Sequence, residues 1–212
     1  AGFSGLVGKQ AAGDEDPGWT PASVALMEAI PNYYLLYYYE TQAWLRYQQH
    51  HPTRASDVMK IEEALISQYA NPELKHKPEE LMQRGGAYYS DSAAELMADI
   101  CSDANTVHIV NTRNNGAVPS MDPDVVMELP CRITKDGAKA IATSAMRPDV
   151  DGLVRTVKDF ELLTIQAAVN GDEDSALRAL ITNPLGPDLS TARDVWRRVK
   201  EEHKGLLGAL DD

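Results

Sequence analysis

The stretch that most restricts this chain runs from Thr106 to Ala142, "TVHIVNTRNNGAVPSMDPDVVMELPCRITKDGAKAIA". On either side of it the apolar residues recur with helical spacing. Within it, "TVHIVN" is rich in β-branched residues and "NNGAVPSMDP" carries turn chemistry. "DVVMELPCRI" then alternates Val125, Met127 and Leu129 against Val126 and Glu128, the period of a strand with one buried face. Asp136-Gly137 marks a hairpin into "AKAIA". Strands joined by turns rather than helices pair antiparallel. The expected fold class is therefore α+β, mostly helical with a small antiparallel sheet. No alternating βαβ series is present, and neither is GxGxxG or GxxxxGK[ST], so the chain holds no nucleotide-binding domain of the usual α/β kind.

The helical remainder reads as follows. Residues 1–20 are Gly-rich and acidic, a loop or mobile edge. Thr20 stands at an N-cap with Pro21 at the first helical position of "PASVALMEAI". After Pro31, "NYYLLYYYETQAWLRY" puts Tyr33, Leu36, Tyr37, Trp44 and Tyr47 on one helical face. "SDVMKIEEALISQYA" spaces Val58, Ile61, Leu65 and Tyr69 as an amphipathic stripe. "SDSAAELMADIC" does the same with Ala93, Leu96, Met97 and Ile100. Three helices close the chain: about 149–170 ended by Gly171, then 172–182, then one capped by Ser190 around Trp196, Val199 and Leu206.

The formal net charge is −12 over 212 residues. A nucleic-acid binder needs clustered Lys and Arg, so this charge excludes generic phosphate-backbone binding. A few focused arginines can still receive a small anion. No apolar run approaches the length of a membrane span. Cys101 and Cys131 lie far apart without a CxxC spacing, which points to a reducing compartment rather than a disulfide framework.

Two segments are candidate chemistry. In "RGGAYYS", Arg84 offers a planar fork for phosphate or carboxylate, two glycines permit close approach, and Ser90 or Asp91 can cap the next helix. A tyrosine placed by that turn can act as acid or base where a neighbouring cation lowers its pKa. Spacing alone weighs this equally with an ordinary glycine turn and two packed tyrosines. "VNTRNNG", Asn111 to Gly116, is either a polar rim for a sugar or a plain strand exit, and composition favours the latter. The tyrosine run 33–39 reads as core or subunit packing rather than sugar stacking. None of the five histidines sits in an H-x-x-x-H pair with a nearby carboxylate, and Cys101 falls on the apolar face of its helix.

Taken in order, "YYLLYYY", "PEELMQRGGAYYSDSAAELMADI", "VNTRNNGAVPSMDPDVVMELPCRITKDGAKAI" and "GLVRTVKDFELLTIQAAVNGDEDSALRALITNPL" resemble the C-terminal region of glycoside hydrolase family 4. The likeness runs from about residue 25 onward and is greatest to the 6-phospho-β-glucosidase branch. It implies an architecture like the C-terminal domains of lactate and malate dehydrogenases. It also implies dependence on NAD and a divalent metal, commonly manganese, in place of the usual carboxylate pair. In that chemistry C3 of the sugar is oxidised, a base removes the C2 proton, and the aglycone leaves by elimination before water adds. The resemblance gives the base as Tyr89, the second aromatic position of RGGAYYS, and a tyrosine there favours β over α specificity. Arg84, Arg113 and Asn114 are the implied substrate or phosphate contacts.

The same resemblance implies an N-terminal NAD-binding domain, with the Cys and His that hold the metal, absent from this chain. Residues 21–212 are then the substrate-side domain, inactive alone. The expected partners are a phosphorylated disaccharide or β-glucoside, that N-terminal domain and further copies in a homo-oligomer, in the cytoplasm and without nucleic acid or membrane. The rival readings are an α-specific family 4 member, a non-catalytic helical oligomerisation module, and a 2-hydroxy acid dehydrogenase, which needs a His–Asp pair.

Overall fold

The computed structural model describes residues 17–84 and 88–210. It divides into two compact units, Ala1–Ala93 and Ala94–Asp212.

The first unit is helical. Trp19 and Thr20 belong to it rather than to a loose edge: Trp19 is buried and its Nε1 donates to the Asn32 carbonyl at 3.3 Å. Residues 1–16 of the expected N-terminal edge lie outside the described residues. Thr20 caps α1 (Pro21–Met27) through a reciprocal box with Ser23, as its sequence predicts. The tyrosine run forms a 3₁₀ turn (Tyr33–Leu35), then α2 (Leu36–Tyr39) and α3 (Thr41–His50), not one helix.

The break falls at Glu40, where the Thr41 hydroxyl takes the Tyr37 carbonyl at 2.6 Å. On an unbroken helix Leu36 and Trp44 would point about 80° apart. With the break both enter one aromatic core with Trp19, where Tyr37 lies 5.0 Å from Trp44 and Tyr47 meets it edge-on at 5.8 Å. Trp44 Nε1 is buried without a hydrogen-bond partner among the described residues. α4 (Arg54–Tyr69) is capped by Thr53 and buries Leu65 from its predicted stripe, while Tyr69 stays exposed. The short α5 (Glu80–Arg84) packs against it.

The boundary between units falls within α6 (Tyr89–Ser102). Beyond it come β1 (Val107–Arg113), β2 (Val126–Thr134) and β3 (Gly137–Ala140), an antiparallel sheet in the order β1-β2-β3. Register pairs His108 with Cys131, Val110 with Leu129 and Arg113 with Val126. Odd positions of β1 are exposed and even ones half-buried, so one face packs a core of Ala117, Val118, Met121, Val125, Leu129, Cys131 and Ile133. Leu96 and Ile100 of α6 pack on it, whereas Met97 and Cys101 are exposed, so Cys101 does not share the apolar face expected of it.

Pro130 is tolerated in the central strand because it sits where the β2–β3 ladder ends. Its carbonyl accepts from Ile141 at 2.9 Å, just beyond the Cys131–Ala140 pair. Gly137, at φ +102°, closes the expected hairpin.

α7 (Pro148–Asn170) ends at left-handed Gly171, and α8 (Glu173–Thr182) and α9 (Leu189–Glu202) follow. The cap of α9 is Asp188, not Ser190, since only the Asp188 carboxylate reaches the Thr191 amide. Leu206 lies past that helix and is exposed.

Candidate functional site

The first cluster is built on α4. Arg54, in its first turn, donates from Nη2 to the carbonyls of Gln83 at 2.6 Å and Arg84 at 3.1 Å, capping the C-terminal end of α5. Eight residues on, Glu62 accepts from Arg84 Nε at 2.8 Å and from its Nη2 as well. One helix therefore holds both the backbone and the side chain of Arg84, the residue just before the two glycines.

The two partners are 44% and 40% exposed, so the ion pair is worth less than about 1 kcal/mol. Gly85, Gly86 and Ala87 lie outside the described residues. The chain re-emerges with Tyr88 and opens α6 at Tyr89, which places Ser90 and Asp91 inside the first turn rather than at the cap. Tyr89 is 79% exposed, its phenol turned to open surface instead of into packing.

The second cluster caps the β1–β2 pair. Arg113 ends β1, is exposed, and donates from Nη1 to Asp124 at 3.3 Å. Asn114, the next residue, is fully buried. Its Nδ2 donates to the carbonyls of Val118 at 3.1 Å, Met121 at 3.0 Å and Asp122 at 3.2 Å, and its Oδ1 accepts from the Val118 amide at 2.7 Å. Backbone bonds from Asn114 to Val125 and from Asn115 to Pro123 close the same loop. Asn115 and Gly116 are both left-handed, at φ 47° and 83°, which explains the Asn-Gly pair: the turn demands positive φ, and Gly116 has open space around it. The structure thus brings Arg113 and Asn114 to one rim, with Arg113 at the surface and Asn114 inside.

A third grouping was invisible in the sequence. His108 Nε2 and Thr106 Oγ1 both meet Asp99 Oδ2 at 2.7 Å, joining the end of α6 to β1. The hydroxyl of Thr106, and then His108, hold the Asp99 carboxyl below the usual carboxylate range. No H-x-x-x-H spacing announces this pair, since nine residues and a tight turn separate the two. His108 lies on the packed face of the sheet, so the pair serves as a brace.

The late "GD…AL…NPL" motif is also structural. Gly171 ends α7, Asp172 caps α8 and bonds the buried Ser175, and Ala176 and Ala179 are buried. An apolar cavity of about 470 Å³ lies beside them, lined by Phe160, Ala167, Leu180, Trp196 and Leu210 among others. No three His, Cys, Asp or Glu side chains come together to hold a metal among the described residues. No helix there is long and apolar enough to cross a membrane.

Residues 21–186 match the family 4 glycosyl hydrolase C-terminal domain. The probable 6-phospho-beta-glucosidase of Bacillus subtilis is 39% identical over 89% of this chain and 44% of its own length. The 6-phospho-beta-glucosidase BglT of Thermotoga maritima is 37% identical over 90% of this chain and 45% of its own. A phospho-alpha-glucosidase of Clostridium acetobutylicum reaches 25% over 86% of this chain. The chain thus spans about half the length of the curated relatives it matches.

The Thermotoga maritima 6-phospho-beta glucosidase, solved with NAD and glucose-6-phosphate, superposes with a TM-score of 0.83 at 34% identity, over 89% of this chain and 46% of that one. A further structure of it holds manganese, NAD+ and glucose-6-phosphate, with a TM-score of 0.80 over 87% of this chain and 44% of that one. The mostly helical fold with a three-stranded antiparallel sheet is the fold of these relatives' matching halves.

Proposed function

Because this chain belongs to the family 4 glycosyl hydrolases as their C-terminal domain, we propose that it is the substrate-side half of a 6-phospho-β-glucosidase, with Tyr89 as the base that takes the C2 proton of the sugar. Relatives solved with NAD, manganese and glucose-6-phosphate support the cofactor and substrate classes. The residues present here do not by themselves fit either group: no phosphate-binding glycine loop occurs in the sequence, and no metal donor set is found among the described residues. The reading therefore assigns both to a dinucleotide-binding half beyond this chain, where they would supply the C3 oxidation and the Lewis acid. The chain alone is expected to be inactive. The kinship with lactate and malate dehydrogenase C-terminal domains, the cytoplasmic setting and the homo-oligomer belong to the same proposal.

The observation that carries the reading is Tyr89 itself. A tyrosine with a buried hydroxyl would be a packing residue, but this one stands 79% exposed at the start of a helix. Its entering flank is held by Arg54 and Glu62 through α4. Arg84, once its weak pair with Glu62 opens, offers a cation to an anionic sugar. In the second unit Arg113, more exposed and on a weak pair with Asp124, is a separate candidate cation. Each arginine is a candidate for phosphate recognition in its own unit, and the phenol is the first unit's share of proton transfer.

Tyr37 and Tyr47 pack around Trp44 within the first unit, while Tyr33, Tyr34 and Tyr39 stay exposed, so part of that face is left for a partner copy. Tyrosine at position 89 and the higher identity to β-specific relatives favour β over α.

The test is Tyr89→Phe in a protein that joins this chain to its dinucleotide-binding half. Turnover of a 6-phospho-β-glucoside should fall about 10²–10⁴-fold. Melting should stay unchanged, because an exposed hydroxyl holds nothing in place. Wild-type turnover in the phenylalanine variant would end the assignment.

A further inference from the structure

Resting on that reading of Arg113, we propose that Asn114 is the positioning residue for the Arg113 guanidinium and makes no contact with substrate itself. The loop between β1 and β2 runs from Asn114 to Val125, and Asn114 organises it from within. Both Nδ2 hydrogens and Oδ1 are engaged by Val118, Met121 and Asp122, and the side chain has no exposed surface. A group so enclosed cannot reach a sugar without dismantling the loop.

The route from Asn114 to the surface is short and continuous. Asn114 grips the carbonyls of Met121 and Asp122. The Asp122 carboxylate then accepts from the Asp124 amide at 2.7 Å, an Asx turn that fixes where residue 124 projects. Asp124 in turn receives the Arg113 guanidinium. Asn115 closes the circuit from the other side, donating from Nδ2 to the Arg113 carbonyl at 3.4 Å. Buried Ala117, Val118, Met121 and Val125 root the loop in the sheet's core, so the arginine stands on a rigid base. Arg113 is held by an exposed pair that a phosphate can displace, while Asp124 keeps it aimed until then.

Asn114→Ser keeps a small polar side chain but removes the amide's three-way grip. In a protein with the dinucleotide-binding half, supplied with NAD, manganese and a chromogenic 6-phospho-β-glucoside, Asn114→Ser should raise KM about ten-fold with kcat little changed. Arg113→Ala should raise KM at least as much. The double variant should match Arg113→Ala alone, since nothing is left to position; a purely structural role would not produce that coupling.

Because a loop variant can lose its fold, Asp122→Ala tests the same route from an exposed position. It should raise KM a few-fold in the native background and leave it unmoved beside Arg113→Ala. Multiplying KM effects in either pair would show Asn114 or Asp122 acting independently and overturn the proposal. A normal KM in both Asn114→Ser and Asp122→Ala, with Arg113→Ala impaired, would sink the positioning role alone. A normal KM in Arg113→Ala would remove the phosphate reading of that arginine, and the inference with it.

Discussion

Two glycines in the second unit should respond to alanine with opposite signs. A Cβ built on Gly186 would press into the Leu180 carbonyl oxygen well inside contact distance. It would also lie 2.9 Å from the Asn183 oxygen and 3.1 Å from the Leu180 carbonyl carbon, where ordinary contact begins near 3.4 Å. These are backbone atoms. Leu180 lies in α8, and the Asn183 carbonyl accepts from the Gly186 amide at 2.7 Å, so neither can retreat without unmaking the turn. Such overpacking costs about 2–3 kcal/mol.

Gly152 lies in the first half of α7 with nothing within 4 Å of its added carbon. There alanine gains about 0.5–1 kcal/mol, because it restricts the unfolded chain and suits the helix. At roughly 3–5 °C per kcal/mol for a unit of this size, Gly186→Ala should melt about 6–15 °C lower and Gly152→Ala about 2–5 °C higher. Circular dichroism melts and urea titrations of the two variants beside the parent chain provide the comparison, both sites lying in one compact unit. Shifts of the same sign, or a Gly186→Ala variant within 0.5 kcal/mol of the parent, would refute the steric reasoning.

Acid should weaken the fold through its capped and braced carboxylates. The Thr106 hydroxyl and His108 hold the Asp99 carboxyl low, and Ser175, by side chain and backbone, does the same for Asp172. A carboxyl whose folded pKa lies below its unfolded value stabilises fully above that unfolded value, near 4. That stability is lost as pH falls through the folded pKa. Urea midpoints should hold from pH 7 to about 5 and decline below about 4, with Asp99→Asn showing a shallower decline; an equal acid decline in that variant would deny Asp99 a share. The two thiols should separate by access. Exposed Cys101 should alkylate in the native chain, while Cys131, enclosed in the core and with its thiol pushed up by burial, should react only in denaturant. Mass spectrometry counts the adducts, and two in the native chain would contradict the packing of the sheet.

Much of the fold was legible because local rules and global packing agree. In the predicted alternation Met127 and Leu129 became the packed face of β2 with Val125 buried just before it, Asp136-Gly137 became the hairpin, and Thr20-Pro21 and Gly171 mark helix ends as expected. The errors fall where a competing local partner decides. Asp188 outbids Ser190 for the α9 cap because its carboxylate reaches the Thr191 amide. Thr41 and Glu40 divide the tyrosine helix so that Leu36 and Trp44 can share a core.

The candidate site divides in the same way. That Arg84, Tyr89, Arg113 and Asn114 deserve notice came from residue types and motif order. Their different situations did not, because exposure depends on what the rest of the chain places around a residue.

Residue spacing by itself determined the helical mass and the small antiparallel sheet, since periodicity and turn chemistry are local properties of the chain; the family likeness rested on four motifs in order. Tertiary structure alone decided that Asn114 is sealed inside its loop while its neighbour Arg113 faces solvent. It alone brought Arg54 and Glu62 onto Gln83 and Arg84, and His108 to Asp99. Those contacts join residues 9 to 30 positions apart at one end of a strand or helix. They form only once the intervening chain has folded, so no local pattern encodes them.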